Sequence, residues 1–234
     1  MPHDFFVIKV RNNRLKNNNI IHKWRNIILM EEIFIAYKGR IISGYQGVGK
    51  SSEEDFIDLE SSNLWVNGER SPFWYKEYAS MAYSIARQRH DVAISSHKVV
   101  RDEVAKYPDD VEKILVFPAL EIKDIWIERL LRRLNPEDMN QDNKHYRALM
   151  NAKEKYEENI LDLREQKGFF KVEVATDNYI LKNIVDCASG VHHYMNIKKY
   201  DKDKNIQYNP NSFLNKNFKY MDMKDDYVKI GRMD

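Results

Sequence analysis

From Ile33 onward, short apolar runs alternate with longer stretches in which apolar residues recur every three or four positions. The short runs read as strands and the longer stretches as amphipathic helices. IFIAYKGRIISGY holds the first β-rich run, FIDLE a short second one and DVAISSH a third. EKILVFP is a fourth, stopped by Pro118, and FFKVEVAT a fifth. Between them, SPFWYKEYASMAYSIARQRH carries Trp74, Tyr78, Met81 and Ile85 at helical spacing, which predicts a core face. HKVVRDEVAKY and ALEIKDIWIERLLRRL read as further helices, and NPEDMNQDN as a polar loop. KHYRALMNAKEKYEENILDLREQKG is a long helix for which Gly168 is the expected C-cap, and NYILKNIVDCA is the last helix.

Strands alternating with helices predict an α/β fold, a parallel five-stranded sheet sandwiched by helices. Residues 191–234 are rich in Asn, Lys, Asp and Tyr with little periodicity, so an irregular polar C-terminal tail is expected there. Residues 1–30 also stand apart, being basic and Asn-rich with no Asp or Glu between Phe5 and Met30. They read as a nucleic-acid or phosphate-binding arm or as an accessory extension, and no motif argues for the arm. The chain thus divides into an extension (1–30), a domain (31–190) and a tail (191–234).

A length of 234 residues suits one α/β domain with a modest appendage, and 43% hydrophobic residues can supply its core. The 38 Lys and Arg nearly balance the 36 Asp and Glu, which removes any global argument for a nucleic-acid partner. Cys187 is the single cysteine, so an intrachain disulfide and a cysteine-based zinc cluster are excluded. His192 and His193 beside it match no familiar zinc spacing. No apolar run approaches the roughly 18 residues of a membrane helix, and FFVI is too short for a secretory segment. A cytoplasmic protein without a membrane partner is expected.

The chemistry concentrates in Gly44-Tyr45-Gln46-Gly47-Val48-Gly49-Lys50-Ser51, a full match to the phosphate-loop pattern G-x-x-x-x-G-K-[ST]. A chance match in a chain of this size is on the order of one in a hundred. The strand RIIS immediately precedes it, as the pattern requires. Glycines let such a loop turn tightly and aim backbone N–H groups at phosphate oxygens. The expected nucleotide contacts are Gly44, Gln46, Gly47, Val48, Gly49 and Ser52, with Lys50 on the β- and γ-phosphates of ATP and Ser51 on Mg²⁺. FIDLE follows so soon that the loop's helix has room for one or two turns if FIDLE pairs beside RIIS, because a parallel crossover needs about 10–12 residues.

The order of phosphate loop, short strand ending in an acid, helix, strand ending in SSHKVVRDE, strand, and arginine-bearing helix with a lid resembles the nucleoside-monophosphate kinase group. That group includes the shikimate- and gluconate-kinase-like enzymes. The resemblance spans about Arg40 to Ala188, and only its phosphate loop is specific at the level of a motif. It implies ATP-dependent phosphoryl transfer to a small, anionic acceptor such as a nucleoside monophosphate or a sugar acid, under a mobile helical lid. By the same resemblance Asp58 and Glu60 orient or deprotonate the acceptor, Ser96, His97 and Arg101 bind it, and Arg129 and Arg133 neutralise the transferring group. DVAISSH lacks the Asp that many phosphate-loop proteins place there, so Mg²⁺ would depend on Ser51, ATP, water and Asp58 or Glu60. Two alternatives stay open: a nucleotide-hydrolysing switch or binding module, and a polynucleotide 5′-end kinase that uses the basic N-terminal segment.

Overall fold

The computed structural model describes residues 39–66, 69–135, 137, 139–140, 143–200, 218–224 and 226–232. The expected extension, 1–30, lies outside the described residues. Strand β1 (Arg40–Gly44) is buried at every position after its first, as suits a strand covered on both faces. It lies within a seven-stranded sheet of order β2-β5-β1-β6-β7-β9-β8. The partners are β2 (Ile57–Asp58), β5 (Val92–Ile94), β6 (Glu112–Pro118), β7 (Phe170–Val174), β8 (Phe218–Lys224) and β9 (Tyr227–Arg232). All neighbours run parallel except β8 and β9, which pair antiparallel. A small ribbon of β3 (Trp65–Val66) and β4 (Glu69–Arg70) stands apart. Five helices complete the order: α1 (Trp74–Arg87), α2 (Lys98–Val104), α3 (Lys123–Leu131), α4 (Lys144–Glu165) and α5 (Leu181–Tyr200). The mostly parallel α/β sheet flanked by helices is therefore as expected.

Four local expectations are corrected. The sheet does not stop at five strands: within the supposed irregular tail, residues 191–200 continue α5, and 218–224 and 227–232 form β8 and β9. Val228 and Ile230 alternate with polar residues and are fully buried, so β9 covers the edge that β7 would otherwise expose. FIDLE does not pair with RIIS. Its β2 pairs with β5, which lies between them, and the link from β1 holds only one 3₁₀ turn, Lys50–Ser52. On α1 Tyr78 is fully buried and Trp74 and Ile85 pack against the core as expected, joined by Ala79, Ala82 and Ala86, whereas Met81 is 40% exposed. Helix α4 ends at Glu165, and Gly168 serves a close approach instead: its φ is +76°, and a Cβ there would lie 2.8 Å from that of Ala105.

The amino ends of the strands are closed by charge pairs. Arg40 spans Asp91 and Asp186, and buried Glu112 accepts hydrogen bonds from Ser189 and His192. The carboxyl ends are left for chemistry. After β1 the chain visits β2 and β5 on one side and then β6 on the other, so the reversal of strand order falls at β1. Open α/β sheets bind ligands outside the carboxyl ends at such a reversal. The elements expected to form a lid are α3, α4 and their link, 132–143, part of which lies outside the described residues. Among the described residues no helix is long and apolar enough to cross a membrane.

Candidate functional site

The Gly44–Ser51 loop leaves β1 at that reversal, and its shape is held from behind. Gly44 is needed because a Cβ would sit 2.5 Å from Val48 Cγ2, where Val48 turns inward to the core. Gly47 and Gly49 have φ of +88° and +102°, a region costly for other residues. Three consecutive loop carbonyls each accept a hydrogen bond from a side chain remote in sequence. Trp126 Nε1 donates to Gln46 O at 3.0 Å, Arg129 Nε to Gly47 O at 2.9 Å, and the Tyr179 hydroxyl to Val48 O at 3.1 Å. The Arg129 guanidinium also lies 5.2 Å from the Trp126 ring and 5.3 Å from that of Tyr179.

In a trans peptide the N–H opposes the C=O, so drawing those carbonyls to one side turns the following amides to the other. The Val48 amide is used internally, donating to Tyr45 O at 3.2 Å. Among the described residues the amides of Gly47, Gly49, Lys50 and Ser51 donate no hydrogen bond. Consecutive unsatisfied N–H groups at a tight turn form a concavity suited to an anion. Lys50 Nζ is parked on Gly44 O at 2.7 Å. Burial pulls the Lys50 pKa down to about 8, Asp58 and Glu60 work against that shift, and Arg133 adds to it.

The loop opens on a cavity of about 500 Å³. Its near wall includes Tyr45, Gln46, Lys50 and Ser51, and its far wall Asp58, Glu60, Ser95, Ser96, His97 and Arg101. Tyr78 stitches that far wall together. Its hydroxyl donates to Leu59 O and accepts from the Ser95 amide at 3.0 Å, tying the exit of β2 to the exit of β5. His97 shares a hydrogen bond with Ser95 through Nδ1 and lies edge-on to Trp74 at 5.8 Å. Burial lowers the His97 pKa, and Arg70, Arg101 and Lys50 lower it further, which favours the neutral ring. Helix α4 forms the side wall and is tied to the loop, because Gln46 Nε2 donates to Ala148 O at 2.6 Å and Asn151 Nδ2 to Gln46 Oε1 at 3.3 Å.

Gln46, Lys50, Ser51, Asp58, Glu60, Ser96, His97 and Arg101 thus surround one cavity. Other expected residues are placed differently. Val48 belongs to the core, and exposed Ser52 spends its amide on Gly49 O at 3.0 Å. Arg129 braces the loop from behind, since both Gly47 O and Asp177 O hold its guanidinium. Arg133 is exposed and its side chain has no hydrogen-bond or ion-pair partner among the described residues, although its charge reaches Lys50. Arg101 is not poised for a ligand. Only 3% exposed, it donates to Ser96 O, to Gln166 Oε1 at 2.8 Å and to Asp162.

Trp126, Tyr179, Tyr78, Asn159 and Asp162 shape the site without having been singled out for it in the sequence. No spacing joins them to the motif, and the contacts that matter bridge 17 to 131 positions. Among the described residues no three His, Cys, Asp or Glu side chains are grouped to hold a metal ion. No protein-family model matches the chain, and no curated protein matches it either.

Proposed function

We propose that this chain is a phosphotransferase that moves the γ-phosphoryl group of ATP to a small acceptor bound in the same cavity. The observation that carries the reading is the loop at the head of β1. Four of its amides donate no hydrogen bond, and Lys50 and Ser51 of the same turn line an open cavity at the reversal of strand order. A polyphosphate supplies the acceptor oxygens that those donors lack, and stabilising its charge is the main work a protein does in phosphoryl transfer. Lys50 would leave Gly44 O for the β- and γ-phosphates, and Ser51 would ligate Mg²⁺. Mg²⁺ supplies charge neutralisation between the phosphates when bound. Asp58 and Glu60, across the cavity from the loop, would orient the acceptor. Arg133 is the arginine with a guanidinium free to approach the transferring group, whereas Arg129 would act on the loop.

The test is ADP release from ATP·Mg²⁺ across a panel of candidate acceptors, with Lys50→Ala as the control. An acceptor that raises turnover well above background, with a loss of at least about 100-fold in the variant, is the expected outcome. A wild-type protein that binds no ATP would remove the proposal. A second reading, a nucleotide-hydrolysing switch, draws on the exit of β5. There Ser95, Ser96 and His97 stand where an acidic residue commonly assists the metal. ATP binding that no acceptor accelerates would favour it.

A further inference from the structure

Whether the acceptor is charged can be argued from the ion pairs of the far wall, given the phosphotransferase reading on which this inference rests. A phosphate- or carboxylate-bearing acceptor needs a cation there that is not already committed. Lys98 pairs with Asp162 at 3.1 Å and Lys144 with Glu60 at 3.2 Å. Arg101 is buried with each of its three guanidinium nitrogens hydrogen-bonded, to Asp162, Gln166 and Ser96 O. Lys50 belongs to the loop. The cations that line the cavity on the acceptor side are thus matched, and releasing Arg101 would strand a buried guanidinium or a carboxylate without a partner, a costly exchange.

The carboxylates are not all matched. Asp58 lines the cavity with neither a hydrogen bond nor an ion pair among the described residues. An ionised carboxylate only accepts hydrogen bonds, so its natural complement is a ligand rich in O–H or N–H donors. Asn159 lines the side wall with its side chain beside the Tyr45 hydroxyl. An unmatched carboxylate with no spare positive charge lining the cavity beside it describes a receptor for hydroxyl groups.

We infer that the acceptor is an uncharged polyhydroxyl compound of the sugar, polyol or nucleoside class, phosphorylated on a hydroxyl that is hydrogen-bonded to Asp58. In the transfer the hydroxyl oxygen forms a bond to the γ-phosphorus of ATP. The bond from that phosphorus to the β–γ bridging oxygen breaks, and ADP leaves with the electron pair. The hydroxyl proton passes to Asp58. The products are a phosphomonoester and ADP, and no further reactant is required.

The experiment uses the full chain and matched pairs of acceptors that differ in charge: hexoses against their phosphates, polyols against sugar acids, and nucleosides against nucleoside monophosphates. ADP release gives kcat/KM for each, and a fluorescent N-methylanthraniloyl ATP reports nucleotide binding separately. The expected result is that the uncharged member of at least one pair is preferred by more than tenfold. Asp58→Asn should then lower kcat by about 100-fold while retaining affinity for the fluorescent nucleotide. As a second variant, Asp162→Asn frees Arg101 and Lys98 and should shift the preference toward the anionic member by about tenfold. Preference for an anionic acceptor by the wild type overturns the inference while leaving the phosphotransferase reading intact. Nucleotide binding that no acceptor in either half accelerates overturns the inference and favours the hydrolysing switch over the phosphotransferase. Absence of nucleotide binding overturns the phosphotransferase reading itself, and the inference with it.

Discussion

Replacing Arg129 with alanine separates two roles for one residue. Nε donates to Gly47 O at 2.9 Å, another guanidinium nitrogen donates to Asp177 O, and the group packs between the Trp126 and Tyr179 rings. A hydrogen bond from a charged donor contributes about 1.5–3 kcal/mol net. The bond to Gly47 O acts directly on the loop that would bind phosphate, so its loss should appear in nucleotide affinity as roughly a 10- to 100-fold rise in Kd. The two ring contacts and the bond to Asp177 should appear mainly as lost stability, about 1–3 kcal/mol. Titration with the fluorescent ATP analogue, kcat at saturating ATP and urea unfolding measure the three quantities. An arginine that instead touched only the transferring phosphoryl group would lower kcat and leave Kd alone. Arg129→Lys sharpens the comparison, because lysine keeps the charge but has neither the Nε donor nor the planar group that stacks. A bracing role expects Lys to lose nearly as much affinity as Ala. A Kd within twofold of wild type in Arg129→Ala, with kcat reduced about 100-fold, would refute the argument.

Two further outcomes depend on pH. Lys50 has its pKa pulled by burial from the usual 10.5 to about 8, and nucleotide phosphates beside it would restore the charged form. Binding should therefore take up a proton between those values, and affinity should fall as pH rises through about 8. Calorimetry near about pH 8.5 in two buffers of different ionisation enthalpy measures this, and zero proton uptake would contradict it. At the opposite end of the sheet, burial pushes the Glu112 pKa up, but the hydrogen bond from His192, the charge of His193 and the hydrogen bond from Ser189 outweigh it and hold the pKa below its usual value. Burial likewise lowers the His193 pKa. In both cases the unfolded chain binds more protons across the acid range. Stability is complete above the unfolded pKa of His, about 6.5, and is lost as pH falls through the two native values. The urea midpoint should be lower at about pH 5 than at about pH 7.5, with Glu112→Gln enlarging the difference because the Glu112 charge holds the His193 pKa up, and an unchanged wild-type midpoint would disprove it.

What could be read from the sequence was local. Gly44–Ser51 is a contiguous motif, and the five expected strands are contiguous apolar runs, so each announced itself without its neighbours. Strand β9 did not, because its pattern rests on Val228 and Ile230 alone, set among charged residues that mimic a tail. The position of β2 was hidden for a different reason. Chain length limits how far FIDLE can travel from RIIS, but it does not reveal that β5 will occupy the place between them. Arg101 illustrates the limit most directly. An arginine one helical turn beyond a strand exit is as well placed to bind a ligand as to bind another part of the chain. The choice is made by Asp162 and Gln166, which lie 61 and 65 positions further on.

The same reasoning connects the two halves of the site. Near the loop, consecutive backbone carbonyls are satisfied from behind by Trp126, Arg129 and Tyr179, leaving donors without acceptors on the cavity side. Across the cavity, the cations are satisfied by Asp162 and Glu60, leaving the Asp58 carboxylate without donors. One wall therefore lacks negative oxygen, and on the other the Asp58 carboxylate lacks hydrogen-bond donors. In the proposed reaction a polyphosphate on the first and a hydroxyl compound on the second would complete both walls and bring a nucleophilic oxygen toward a phosphorus. If the far wall instead needed an anion, Arg101 would have to abandon Asp162. The Asp162→Asn variant removes the need for that step, so its effect on acceptor charge preference reads out which wall chemistry the protein uses.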